Sequence, residues 1–330
     1  MKKLILTALM LLPLLAHAEG LDGIVPAPLK VEAGRGSFKM KGIAFKCDSA
    51  IDPVALDAIS RFCSRVNIIS NSTSSISTPI GLKEAIASGS AKGMIFIKDV
   101  SLAPEHYTID ITNASAIVKA PDANGIMYAI QTLMQLLPVQ IYGGDRSELR
   151  LTLPCCHIED GPRFAYRGMH LDSSRHFWQL DEVKKYIEVM SWFKLNRLHW
   201  HLSDDQGFRI QLDSFPELVT KGSIRPGDTY RNLPKTTAPY GGFYTKDEIR
   251  QIVAYCKERF IEIIPEIDMP GHCAQFAIKY PEIFGSCGII EATEEAFGAL
   301  GKLYKEASEL FPNSKYIHVG GDEAVLGRWQ

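Results

Sequence analysis

From Arg167 onward the chain alternates short apolar runs with amphipathic stretches. That rhythm confines it to a parallel sheet covered by helices. Arg167 to Leu171 predicts a strand that ends at Asp172. Asp181 to Phe193 predicts a helix with Val183, Ile187 and Met190 on one face. Arg197 to Leu202 predicts the next strand, running into Asp204-Asp205. Thr245 and Glu248 form a capping box that opens a helix through Glu258. Ile261 to Ile267 is an almost wholly apolar strand, interrupted by Glu262, Pro265 and Glu266 and ending at Asp268. Thr293 to Leu310 predicts another helix. Tyr316 to Val319, β-branched and aromatic, predicts a buried strand, which Gly320-Gly321 breaks just before Asp322-Glu323.

Four of these strands therefore end in acids: Asp172, Asp204, Asp268 and Asp322. One such acid is a solvated turn. Four at one end of parallel strands would repel one another. A cationic or many-hydroxyl ligand, or internal pairing, would relieve that. Two counterions are at hand, Arg175 after the first strand and His272 after the third. An Arg can hold two hydroxyls or a carboxylate in its fork of donors. A His beside an Asp stays oriented and can tune a neighbouring acid. Neighbours on a regular strand face opposite ways. Asp322 and Glu323 can share a ligand only where the backbone turns, which Gly320-Gly321 permits. Acids at the C-terminal ends of buried strands are where a β/α barrel keeps its chemistry. A second constellation is His199-Trp200-His201, two imidazoles on one face of a strand, with His170 and the acids near by. It reads either as a metal pair or as two packed, hydrogen-bonded histidines.

The remainder of the chain carries no catalytic constellation. Lys2-Lys3, an apolar run from Leu4 to Leu15 and Ala16-His17-Ala18 make residues 1–18 a secretory signal peptide. The run is too short to span a bilayer, and no Cys marks a lipid anchor. The mature chain is expected to start near Glu19 and to work in the periplasm or outside the cell. Residues 19–160 predict a small α/β domain. Within it, Tyr107 to Ile111 and Ala116 to Lys119 suggest a hairpin, and Asp122 to Leu137 a helix stopped by Pro138. Asp160-Gly161-Pro162 sets the boundary before residues 161–330. A net charge of −2 gives no electrostatic reason to expect nucleic acid or a membrane surface. Seven scattered Cys match neither a disulfide framework nor a C-x-x-C metal pattern.

Four stretches in order resemble the motifs of glycoside hydrolase family 20, the β-N-acetylhexosaminidases. They are Arg167 to His176, Asn196 to Gln206, Pro265 to His272 and His318 to Glu323. The likeness covers about Arg163 to Trp329, and Val25 to Leu137 resembles the family's N-terminal α/β domain more loosely. It implies a small α/β domain followed by the first half of a (β/α)8 TIM barrel. It also implies retaining hydrolysis of terminal β-linked N-acetylhexosamine (GlcNAc or GalNAc) with the substrate assisting. No cofactor or metal is implied, and the partners are glycans that carry N-acetylhexosamine. By the resemblance, Glu323 is the general acid and then the base, and Asp322 orients the acetamido group and balances its positive charge. Arg175 holds ring hydroxyls, while Asp204 and His272 support Glu323; Asp268 lies with them at the substrate end. Four barrel strands are counted where eight are needed, so the chain reads as a fragment of a longer protein. Two other readings stand beside this one: a metal-dependent barrel hydrolase, and a carbohydrate-binding fragment that does no chemistry.

Overall fold

The computed structural model describes residues 20–143, 149–226, 238–286 and 288–324. The predicted signal peptide and Trp329 lie outside the described residues. The chain divides into two compact units, Met1–Arg163 and Phe164–Gln330.

The first unit is a mixed seven-stranded sheet with helices. Its elements are β1 (Lys30–Lys39), β2 (Phe45–Cys47), α1 (Pro53–Ser70), β3 (Ile76–Ser77) and α2 (Leu82–Ala87), then β4 (Gly93–Lys98), β5 (Tyr107–Ile111), β6 (Ser115–Ala120), α3 (Ala123–Leu136) and β7 (Thr152–Asp160). The order across the sheet is β1-β7-β5-β6-β4-β2-β3. The expected hairpin is present: β5 and β6 pair antiparallel. The expected helix is α3, whose N-cap Asp122 accepts from the Gly125 amide at 2.8 Å. Because α3 is apolar nearly all round, it is buried nearly all round. The Tyr107 hydroxyl ties sheet to helix, lying 2.6 Å from both Asp160 Oδ2 and Thr132 Oγ1.

The second unit comprises β8 (Gly168–Asp172), α4 (Leu180–Trp192), β9 (Arg197–His201), β10 (Ser203–Asp204), β11 (Gly207–Phe208), α5 (Pro216–Thr220), β12 (Ile224–Pro226) and β13 (Pro239–Gly241). It continues through α6 (Lys246–Lys257), β14 (Glu262–Glu266), α7 (Ala274–Lys279), α8 (Pro281–Phe284) and α9 (Glu294–Leu310). β8, β9 and β14 form a parallel sheet with β9 in the middle. Three parallel strands separated by helices are consistent with part of a TIM barrel; no closed barrel is seen among the described residues. Leu198 and Trp200 on β9 pack with Val183, Ile187 and Met190 of α4 and with Ile249 and Ile252 of α6. Each such fully buried aliphatic side chain stabilises the fold by roughly 1.5–3 kcal/mol. The capping box of α6 is formed, with Thr245 and Glu248 bonding reciprocally.

One expectation fails. Tyr316 to Val319 is not a buried strand. It makes a single bridge, between Glu266 and His318. Tyr316 is 64% and Val319 45% exposed. The His318 amide donates to Pro265 O, and Ile267 and Met269 donate to His318 O and Val319 O. The run is thus extended and parallel to β14. Pairing along one edge only leaves its apolar side chains partly in water. The connections between the strands also hold elements that periodicity did not reveal, the β10–β11 and β12–β13 pairs and α5, α7 and α8. All are too short for a repeating pattern to show. Six of the cysteines, Cys47, Cys63, Cys155, Cys156, Cys256 and Cys273, are buried free thiols.

Candidate active site

The candidate residues follow the C-terminal ends of the parallel strands. Asp172 closes β8, and Asp204 lies in β10, three residues past the end of β9. Asp268 and His272 follow β14, and Asp322-Glu323 follow the extended run beside it. All four acids are at one end, as expected.

Asp204 is the centre. Its side chain is wholly buried. Oδ2 lies 2.6 Å from Arg175 Nη2 and 3.0 Å from His201 Nε2. Oδ1 accepts from the Asp205 amide at 2.7 Å and faces His272 Nδ1 at 3.4 Å. Arg175 also reaches Asp172, with Nη1 3.0 Å from its Oδ2. One guanidinium thus ties two strand-end acids, which is the internal pairing that their mutual repulsion requires.

His272 points from this buried group toward the acid pair. Its Nε2 is 3.6 Å from Asp322 Oδ2 and 3.4 Å from Glu323 Oε2. That nitrogen is buried and makes no well-formed hydrogen bond. Asp322 and Glu323 are open, their side chains 65% and 79% exposed. Two glycines bring the pair here. Gly320 and Gly321 have φ of +64° and +97°, and a Cβ on Gly320 would overlap the Asp268 carboxylate. Both His272 and Glu323 also sit at positive φ, +52° in each case. Such backbone clusters at functional sites because the surrounding structure must hold it. Asp268 accepts from the Gly321 amide at 3.1 Å and so pins the turn. Burial pushes the Asp268 carboxyl up to about 6, against the pull of that amide.

The His-Trp-His stretch resolves into a second cluster, around the buried Glu266. His199 Nε2 lies 2.5 Å and His201 Nδ1 2.9 Å from Glu266 Oε2, and His318 Nδ1 lies 3.1 Å from Oε1. Burial opposes the charge on Glu266, but the bonds from His199 and His201 hold its carboxyl well below the usual range. His201 has both ring nitrogens on carboxylates. Burial works against its charge, yet the bonds to Asp204 and Glu266 lift it to about 10. With a carboxylate oxygen within 3.0 Å of each ring nitrogen, His201 sits in a hydrogen-bonded cluster. The indole of Trp200, between the two histidines, is buried on the other face and donates to Ser173 Oγ at 2.8 Å.

Two residues escaped the sequence reading. In the sequence Glu266 reads as a break in an apolar strand, although it lies in register with His201 across the sheet. Arg209 was passed over; it is wholly buried under the loops that carry the site. It donates to the carbonyls of Ser173 at 3.1 Å, Ser174 at 2.7 Å and Gly242 at 2.8 Å, and to that of Ser223. A charge in a loop carries no periodic signal that would set it apart from a solvated one.

The family model described as glycosyl hydrolase family 20, catalytic domain, matches residues 164–330. The model for domain 2 of the same family matches residues 22–161. A beta-hexosaminidase of Porphyromonas gingivalis is 33% identical over 93% of this chain and 39% of its own length. One from Vibrio furnissii is 35% identical over 68% of this chain and 38% of its own. Among solved structures, the Streptomyces plicatus N-acetyl-beta-hexosaminidase in complex with Thio-NAglucal superposes with a TM-score of 0.77 at 30% identity, covering 92% of this chain and 60% of that one. The Vibrio harveyi GH20 exo beta-N-acetylglucosaminidase in complex with N-acetylglucosamine gives 0.77 at 30%, covering 93% and 48%. The chain thus spans about two fifths of those two curated relatives and half to three fifths of those structures.

Proposed function

The chain belongs to glycosyl hydrolase family 20, and from that premise we propose that its protein removes terminal β-linked N-acetylhexosamine from glycans with retention of configuration. The acetamido oxygen of the substrate is the nucleophile. It attacks the anomeric carbon as the glycosidic bond breaks, and Glu323 gives its proton to the departing oxygen. Asp322 accepts the acetamido N–H and balances the charge of the oxazolinium. Water then attacks the same carbon and yields its proton to Glu323, now a carboxylate. Two inversions restore the starting configuration. By the family likeness Arg175, held between Asp172 and Asp204 beside the cluster, is assigned to ring hydroxyls. The similar Vibrio harveyi and Streptomyces plicatus structures, in complex with N-acetylglucosamine and Thio-NAglucal, favour this substrate class.

The observation that carries the reading is His272 suspended between buried Asp204 and the exposed acid pair. It gives an exposed proton donor a fixed neighbour. The test is a leaving-group series of aryl β-N-acetylglucosaminides on the protein in the full length its gene encodes. Glu323→Gln should lose about 10²–10⁴ in kcat/KM, which reads the first step, on poor leaving groups and much less on good ones. Asp322→Asn should slow both kinds alike, since the charge it balances forms with either. The opposite pattern of slopes would mean the two roles are reversed. We also propose export by cleavage after Ala18, on the strength of the basic, apolar and small-x-small order of residues 2–18. N-terminal sequencing of protein from the producing cell should read from near Glu19; an intact Met1 would refute export.

A further inference from the structure

The line of charged groups under the acid pair does not stop at Asp204. It runs from Glu323 through His272 to Asp204, then through His201 to Glu266. The contacts are 3.4, 3.4, 3.0 and 2.9 Å in that order. We propose that His201, braced across the sheet by Glu266, is a positioning residue that locks Asp204 in the one orientation where it engages Arg175 and His272 together. This rests on the reading of Glu323 as proton donor.

The geometry makes the brace necessary. Asp204 has no exposed side-chain surface and meets a partner at each edge of both oxygens. Arg175 at 2.6 Å is the closest of these partners and His272 at 3.4 Å the most distant. A carboxylate free to turn would follow the guanidinium and drop the imidazole first. His201 holds Oδ2 from a second direction and removes that freedom. It can do so only if its own ring is fixed, and Glu266 fixes it from Nδ1. Glu266 and His201 are register partners on β14 and β9, so the brace belongs to the sheet itself. Sheet-borne supports hold a site more firmly than loops do.

The groups that face His201 set the sign of its pH response. Glu266 and Asp268 come from β14 and the segment after it, and Asp172 and His170 from β8. Asp204 follows its own strand, with Arg175 beyond it. Two carboxylates touch the ring. Glu266→Gln leaves one, so the ring should then lose its proton at a lower pH than in the parent.

The experiment compares Glu266→Gln, His201→Gln and, as control, His199→Asn in the leaving-group series. Glu266→Gln and His201→Gln should lose on the order of 10–100-fold in kcat on poor leaving groups, with KM little moved, less than the acid itself supplies. Their loss on good leaving groups should stay within roughly 3-fold, because the departing oxygen then needs little proton. In Glu266→Gln the loss should deepen as pH rises and recede as it falls. His199→Asn touches Glu266 but not Asp204, and should keep the parent slope. Equal losses on all substrates, or the same steep slope in His199→Asn, would overturn the inference while Glu323→Gln remained steep. A flat series for Glu323→Gln itself would overturn the parent reading and this inference with it. Should the variants not fold, the imidazole ¹⁵N shifts of His201 in the parent protein decide. Both nitrogens protonated at pH 8 support the brace; a neutral ring there refutes it.

Discussion

Arg209→Met removes a buried cation that no sequence pattern marks, and the structure sets the size of the effect. Arg209 is wholly buried and donates to the main-chain carbonyls of Ser173, Ser174, Gln206, Ser223 and Gly242. Burial accordingly lowers its guanidinium to about 10. On substitution, Ser223 O keeps the Gly242 amide and Gln206 O keeps Arg225. The carbonyls of Ser173, Ser174 and Gly242 lose their side-chain donor. A buried acceptor left without a donor costs about 1–3 kcal/mol. Three give roughly 3–9 kcal/mol, and relief of the desolvated charge subtracts several. From the middle of that range, about 6 kcal/mol, relief of about 2–3 leaves a net of about 3–4 kcal/mol, a large share of the ~5–15 kcal/mol that holds a domain together. With a slope of ~2 kcal/mol per molar urea, the unfolding midpoint should fall by about 2 M. The assay is urea unfolding followed by tryptophan fluorescence. Trp200 and Tyr244 both bond Ser173 Oγ, so the indole reports on that loop directly. Arg209→Lys should recover little, since one ammonium cannot span these carbonyls. A midpoint within ~0.5 M of the parent, which is ~1 kcal/mol at that slope, would refute the reasoning.

Asp268→Asn should remove a pH dependence. The folded carboxyl sits near 6, above its unfolded value, so its protonation stabilises the native state below about pH 4 and that contribution is lost as pH rises through 6. Urea midpoints should therefore show the variant gaining on the parent between pH 4.5 and 7.5; a constant difference would contradict this. Gly320→Ala places a Cβ against the Asp268 carboxylate at a left-handed φ. A displacement of the acid pair by ~1 Å should lower kcat on the order of 10²-fold, and backbone strain of about 1–2 kcal/mol should lower Tm by several degrees; unchanged kcat would refute the role given to the turn.

The strand–helix alternation was legible because each helix carries an apolar stripe and a cap that local chemistry fixes, as at Thr245 and Glu248. The acids at the strand ends were legible because they follow apolar runs at once. Arg175, Asp204 and His272 are indeed brought together, with Arg175 on two carboxylates. Tyr316 to Val319 misled because β-branched composition reports strand preference and not the number of neighbours. Glu266 was invisible for the converse reason. Its partners, His199, His201 and His318, arrive from other strands, and only register reveals which residues share a level.

The uneven access to solvent across these carboxylates has a practical side. Glu323 and Asp322 stand in water, Asp172 is partly covered, and Asp204 and Glu266 are sealed beneath them. A water-soluble reagent that activates carboxyl groups would meet them from the top down. The first to be tagged would be the acid pair, and a bound sugar ring would shade that pair alone. Labelling with and without ligand would then sort the acids by depth in a single mass spectrum.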